Sequence, residues 1–226
     1  MPFAFRHRSD PIAAPVALEG LVVRRETSAA AMAQLQNRAV EEMQKRFADG
    51  HRAYVADLNG NLAAWGWVAT HTASIGELKV AFTIAAAERY LWNFVTLAAY
   101  RGLGIYPRLL DAIISAESAE AERFWVGYAP ENHASGIGIR KAGFVAVCEM
   151  SFDADGNAAV HDLLPGGAEL ASHVLGIGES KSELAPCWRC VRAGRRMACK
   201  GGSCKCDYQV ATSGCASPEK VDIAAA

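Results

Sequence analysis

The chain has 226 residues, 51% of them hydrophobic and 21% charged, a composition that supports one full core with some chain to spare. A formal net charge of −1 gives no general attraction to nucleic acid or to an acidic membrane. No apolar run approaches the roughly 18 residues of a membrane span.

The opening "MPFAFRHRSDPIAAPVALEG" is broken by Asp10, Pro11 and Pro15. It lacks the continuous apolar stretch of a secretory signal, so a cytoplasmic address is expected and residues 1–16 read as an N-terminal arm. "EGLVVRR" (19–25) reads as a first strand. Residues 29–48, rich in Ala, Met, Gln and Glu, read as a helix closed by Gly50. "RAYVADLNGNLAAWGWVAT" reads as a hairpin in which Asn59-Gly60 supplies the positive φ angles of a tight turn. Trp65 and Trp67 share a face of its second strand, as core or as the wall of an acceptor pocket. Segments 78–84 and 90–97 are β-rich.

A helix over about 104–119 follows, with Tyr106, Leu109, Leu110, Ile113 and Ile114 on one stripe. Then come a strand (123–129), a short helix (131–143) despite its glycines, and a second hairpin turning at Asp155-Gly156. Periodicity fades near 165. Residues 17–165 therefore read as an α/β (α+β) domain, 166–186 as a connector and 187–226 as a cysteine-rich tail.

The stretch "AAYRGLGIYPRLLDAI" (98–113) is the most informative. A strand that ends at a glycine-containing turn and feeds a helix exposes amides with no intrahelical acceptor, at the positive end of the helix dipole. Gly102 and Gly104 let backbone approach an anion, and Pro107 in the first turn gives up an N–H that no carbonyl requires. A dinucleotide fingerprint would need glycine at 107, and a P-loop would need Gly-Lys-Ser/Thr. A bare Gly-x-Gly before a helix serves an ordinary turn equally well.

A second segment adds to it. Arg101-Gly102-Leu103-Gly104-Ile105-Tyr106 resembles the Arg/Gln-x-x-Gly-x-Gly/Ala loop of the GNAT superfamily of acyl-CoA-dependent N-acyltransferases, and "NHASGIGIRKAGF" (132–144) supplies Asn132, Ser135, Gly143 and Phe144 at that family's spacing. The resemblance covers roughly 17–165. It implies a central mixed sheet flanked by helices, and acetyl-CoA held by Leu97, Arg101, Gly102, Leu103, Gly104, Ile105, Tyr106, Asn132 and Ser135. It also implies direct acetyl transfer to a primary amine of a small-molecule or peptide acceptor, with thioester-polarising donors from about Phe94 to Leu97 and a homodimer as one possible assembly. Two positions depart from the family. Tyr106 stands where Gly or Ala is usual, either beside the pyrophosphate or as the start of the buried stripe. Ile139 stands where many members carry the tyrosine that protonates the departing thiolate. Ser135 and Tyr128 are then the nearest donors, and Glu88, Glu77 and His71 the candidate bases.

Six of the seven cysteines lie at 187 and beyond, where eight Lys and Arg meet four Asp and Glu over 181–226. Cys187-x-x-Cys190 with Cys204-x-Cys206 makes a possible zinc knuckle, free thiols and disulfides being the other readings. The alternative to an enzyme is a metal- or redox-responsive binding module on the same scaffold, acting through this tail.

Overall fold

The computed structural model describes residues 1–11, 17–181 and 184. In chain order the elements are β1 (Pro2–His7), β2 (Leu21–Glu26), α1 (Ala29–Gln36), α2 (Val40–Ala48), β3 (Arg52–Leu58), β4 (Asn61–Ala69), β5 (Thr72–Ile75), β6 (Val80–Thr83), β7 (Glu88–Thr96), α3 (Ile105–Glu117), β8 (Arg123–Gly127), α4 (His133–Lys141), β9 (Val145–Phe152), β10 (Ala158–Asp162), α5 (Gly167–Leu175) and β11 (Gly178–Glu179). Nine strands form one mixed sheet in the order β11-β10-β9-β1-β8-β7-β4-β3-β2, and β5 pairs with β6 apart from it. Pairing is antiparallel except at β7–β8 and β10–β11. A parallel neighbour cannot be reached by a hairpin, so α3 crosses over between β7 and β8.

Side-chain alternation divides the core between the two faces of the sheet. On one face Leu91, Phe94, Phe124 and Val126 meet Leu109, Leu110 and Ile113 of α3 and Ile139 of α4. On the other, Trp65 and Trp67 pack against Met32 and Met43 of α1 and α2. Beside them Phe3, Trp125 and Met150 pack with Phe82 of β6 and Val174 of α5. The expected α/β architecture with a mixed, helix-flanked sheet is what the chain adopts.

Three segments differ from the sequence reading. Residues 2–7, read as part of an arm, form a strand between β8 and β9. Arg6 in this strand is fully buried. Its Nη1 donates to Asp111 Oδ1 of α3 at 2.7 Å and to the Ala142 carbonyl at the end of α4, so one cation ties both helices to the sheet. A short run interrupted by arginine hid that strand. Residues 29–48 form two helices, because Asn37 adopts the left-handed conformation (φ 51°) and donates its amide to the Ala33 and Gln34 carbonyls, a local stop that Asn tolerates well. Beyond 165 the chain makes a further helix, α5, which buries Ala168, Ala171, Val174 and Leu175; the adjacent Gly166-Gly167 obscured that stripe.

At the far end of α3, Glu117 is 1% exposed. It accepts from Tyr54 Oη at 2.6 Å, Arg52 Nη1 at 2.6 Å and Arg89 Nε at 2.8 Å. A carboxylate in the last turn opposes the helix dipole; the two guanidinium groups offset it and fix α3 against β3 and β7.

The tail cysteines Cys187, Cys190, Cys204 and Cys206, with the zinc expectation attached to them, lie outside the described residues. Among the described residues, Cys148 is free and buried, and burial pushes its thiol up to about 12, a protonated and unreactive side chain. No group of three or more metal-ligating side chains occurs among the described residues, and none of the described helices is long and apolar enough to cross a membrane.

Candidate active site

β7 and β8 pair from Glu88↔Arg123 to Leu91↔Val126 and then part, while β7 continues to Thr96. β8 itself ends at Gly127, and the other edge of β7 carries an irregularity at the same level. Against β4 the pairs are Trp67↔Trp92 and Trp65↔Val95, so Gly66 faces both Asn93 and Phe94. That extra residue is a bulge, and bulges bend their strand. Asn93 takes the strain with φ 52°, and its Nδ2 donates to Gln36 Oε1 of α1 at 3.3 Å. The last residues of β7 thus leave β8 and open a wedge whose β7 edge has no strand partner among the described residues. An Asn inside the aromatic run "YLWNFVTL" was the signal for the bulge, since Asn accepts positive φ more readily than its neighbours.

The wedge leads to the loop. A single 3₁₀ turn (Ala98–Tyr100) follows Leu97, and Arg101 folds back so that its Nε donates to the Thr96 carbonyl at 3.1 Å. Gly102 (φ 80°) and Gly104 (φ 70°) are both left-handed. Gly104 is the N-cap of the 13-residue α3; no side chain among the described residues caps this helix and no acidic residue stands in its first turn. Arg108 donates to the Gly104 carbonyl at 2.7 Å, which places a guanidinium beside the exposed amides. A Cβ on Gly102 would meet none of the described residues within 4 Å, so they leave the space in front of the loop open.

α4 closes the other side. Asn132 caps it by accepting the Ser135 amide at 3.0 Å. Ser135 is fully buried and Tyr106 is 7% exposed. A Cβ on Gly138 would come within 2.4 Å of the Tyr106 ring, so that helical glycine exists to let α3 and α4 meet there. Tyr106 accordingly belongs to the buried stripe, its ring centroid 5.4 Å from Phe94. Burial raises its phenol, with Ser135 as its polar neighbour.

The structure does not bring Ser135, Tyr128 and Glu88 together. Tyr128 lies against Gly136, two positions from Gly138 and hence on the opposite side of α4 at 100° per residue. There it lines a cleft of about 320 Å³ with Pro2, His133 and Arg140. Glu88 begins β7, at the far end from the loop, where it pairs with Arg123 Nε at 2.7 Å; burial raises its carboxyl and Arg123 opposes that shift. His71 is exposed and lies 2.7 Å from Thr70 Oγ1. Glu77 is 5% exposed and close enough to Tyr90 to raise its phenol, after the larger effect of burial. A Cβ on Gly127 would lie 3.6 Å from the Tyr90 hydroxyl, so Tyr90 reaches the end of β8, where Tyr106 is near enough to add to the raising of its phenol. Trp65 and Trp67 do share a face, as buried core.

Ile139 is 1% exposed within the core beneath α4. An Ile139→Tyr variant should therefore lose stability by about 1–3 kcal/mol through overpacking. Chemical denaturation checks this; an unchanged midpoint would show that the position opens onto free space.

No family model matches the chain, and no curated protein matches it. Among solved structures, a GCN5-related N-acetyltransferase from Kribbella flavida is 16% identical at a TM-score of 0.40, over 55% of this chain and 46% of its own. This chain thus spans less than half of that protein. A GNAT-family acetyltransferase from Streptococcus pneumoniae is 19% identical at a TM-score of 0.43, over 61% of this chain and 93% of its own. AAC(6')-Ib in complex with paromomycin and acetyl-CoA is 15% identical at 0.43, over 63% of this chain and 92% of its own. Likenesses of this size leave the function to the geometry of the site.

Proposed function

We propose that the chain is an acyl-CoA-dependent N-acyltransferase that moves an acetyl group to a primary amine. The observation that carries this reading is the continuity of the wedge with the loop. A strand that parts from its parallel neighbour after Leu91 runs through one 3₁₀ turn into a helix N-terminus that no described side chain caps and that two left-handed glycines open. A long ligand with an anionic end and an amide-bearing arm fits both. The amides at the start of α3, with Arg101 and Arg108, suit a pyrophosphate. The unpartnered edge of β7 offers backbone donors and acceptors to the arm, and donors fixed before reaction also polarise a thioester carbonyl. Acetyl-CoA supplies the activated acyl group; the protein holds it, orients it and excludes water from it.

The acceptor must present a neutral amine. An α-amino group, with a pKa near 8, does so far more readily than a lysine-like amine near 10.4. The test is a panel of primary amines incubated with the protein and acetyl-CoA, read by thiol release. Turnover with at least one amine above the hydrolysis background is expected. No turnover together with no thermal protection by acetyl-CoA would remove the reading.

A further inference from the structure

Two buried hydroxyls meet in the seam between α3 and α4. Tyr106 Oη and Ser135 Oγ are each other's polar neighbour, Tyr106 is 7% and Ser135 0% exposed, and beyond this mutual contact neither hydroxyl has a hydrogen-bond partner among the described residues. Leaving a buried hydroxyl without a partner is costly. Two hydroxyls that have only each other keep one O–H to donate, and among the described residues nothing accepts it. Their position limits what the acceptor is. The Tyr106 ring touches Gly138 on one side and neighbours Phe94 on the other, and Phe94 belongs to the part of β7 that has left β8. The hydroxyl pair thus stands beside the wedge, on the α3–α4 face. Tyr128 sits across α4 from it, and Ile139 has no proton to give.

We propose that Tyr106 is the catalytic acid of this chain, protonating the sulfur as it leaves, with Ser135 returning a proton to the phenol. The proposal rests on the acyl-CoA reading above. The amine nitrogen bonds to the acyl carbon, the C–S bond breaks with its electron pair on sulfur, and the phenol proton passes to that sulfur. The phenolate regains a proton through Ser135, and the proton shed by the amine restores the balance through solvent. Amine and thioester become amide and thiol, and nothing else is consumed. Burial keeps the phenol protonated before reaction, and the proton moves only as negative charge develops on the sulfur.

Tyr106→Phe keeps the ring that packs on Gly138 and Phe94 and removes only the hydroxyl. Calorimetry compares free CoA with desulfo-CoA, which lacks the sulfur. The wild type should favour CoA about tenfold, the upper range for one ordinary hydrogen bond, and Tyr106→Phe should erase that preference with desulfo-CoA affinity unchanged. Its kcat should fall about 100-fold with KM for acetyl-CoA unchanged. A variant that keeps the preference for CoA, or that loses both ligands alike, overturns the assignment. Ser135→Ala is an independent arm: kcat falls while desulfo-CoA affinity holds, and full kcat overturns the proton path. If the wild type binds neither ligand, the acyl-CoA reading itself fails, which is a different result.

Discussion

Replacing Gly104 by valine should abolish acetyl-CoA binding and leave the fold in place. Gly104 has φ 70°, a region that costs an L-residue roughly 1–2 kcal/mol and a β-branched one more. A Cβ there would also come within 2.5 Å of Arg108 Nη1. α3 is anchored further along by Leu109, Leu110 and Ile113, all fully buried, so the strain is relieved in the loop and not in the helix. That relief displaces the first amides of α3 and the Arg108 guanidinium together. Two lost charge-assisted bonds at about 1.5–3 kcal/mol each amount to roughly 100-fold to 10,000-fold in affinity. Calorimetry alongside circular dichroism separates the two outcomes. A folded variant with unchanged affinity would place the phosphate site elsewhere.

The largest stability effect is expected at Glu117. Glu117→Ala removes the carboxylate shared by Tyr54, Arg52 and Arg89 and leaves Arg89, 3% exposed, without its buried carboxylate partner. Arg89 retains a 3.1 Å contact to the exposed Glu120, which softens the loss without replacing a buried partner. Breaking one side of a buried pair costs about 3–5 kcal/mol, or a drop in Tm on the order of 10 °C for a chain of this size. The control is Glu122→Ala. Its partner Arg8 lies at 2.9 Å, but the two side chains are 42% and 51% exposed, and such surface pairs contribute about 0–1 kcal/mol. Equal losses for the two variants would mean that the Glu117 cluster is no more than a surface network.

Legibility in the sequence followed the range of the interactions. Asn59-Gly60 and Asp155-Gly156 specify their hairpins locally, and both appear where expected. The start of α3 was readable from Gly104 and Pro107 because capping is decided within a few residues. β1 was not readable. Its place between β8 and β9 depends on Arg6 meeting Asp111 and the Ala142 carbonyl, partners 105 and 136 positions away. The glycines of α4 counted against a helix in isolation, and only the Tyr106 and Tyr128 rings against Gly138 and Gly136 account for them. The site divides in the same way. The loop is one contiguous segment and could be read. The grouping of Tyr106 with Ser135, and the separation of Glu88 from both, required the fold.

The most direct test of the account is a calorimetric titration of the reduced full-length chain with acetyl-CoA, repeated with Gly104→Val under the same conditions. The account predicts one site per chain for the wild type and no measurable binding for the folded variant. Absence of binding to the wild type, or equal binding to both, would contradict it.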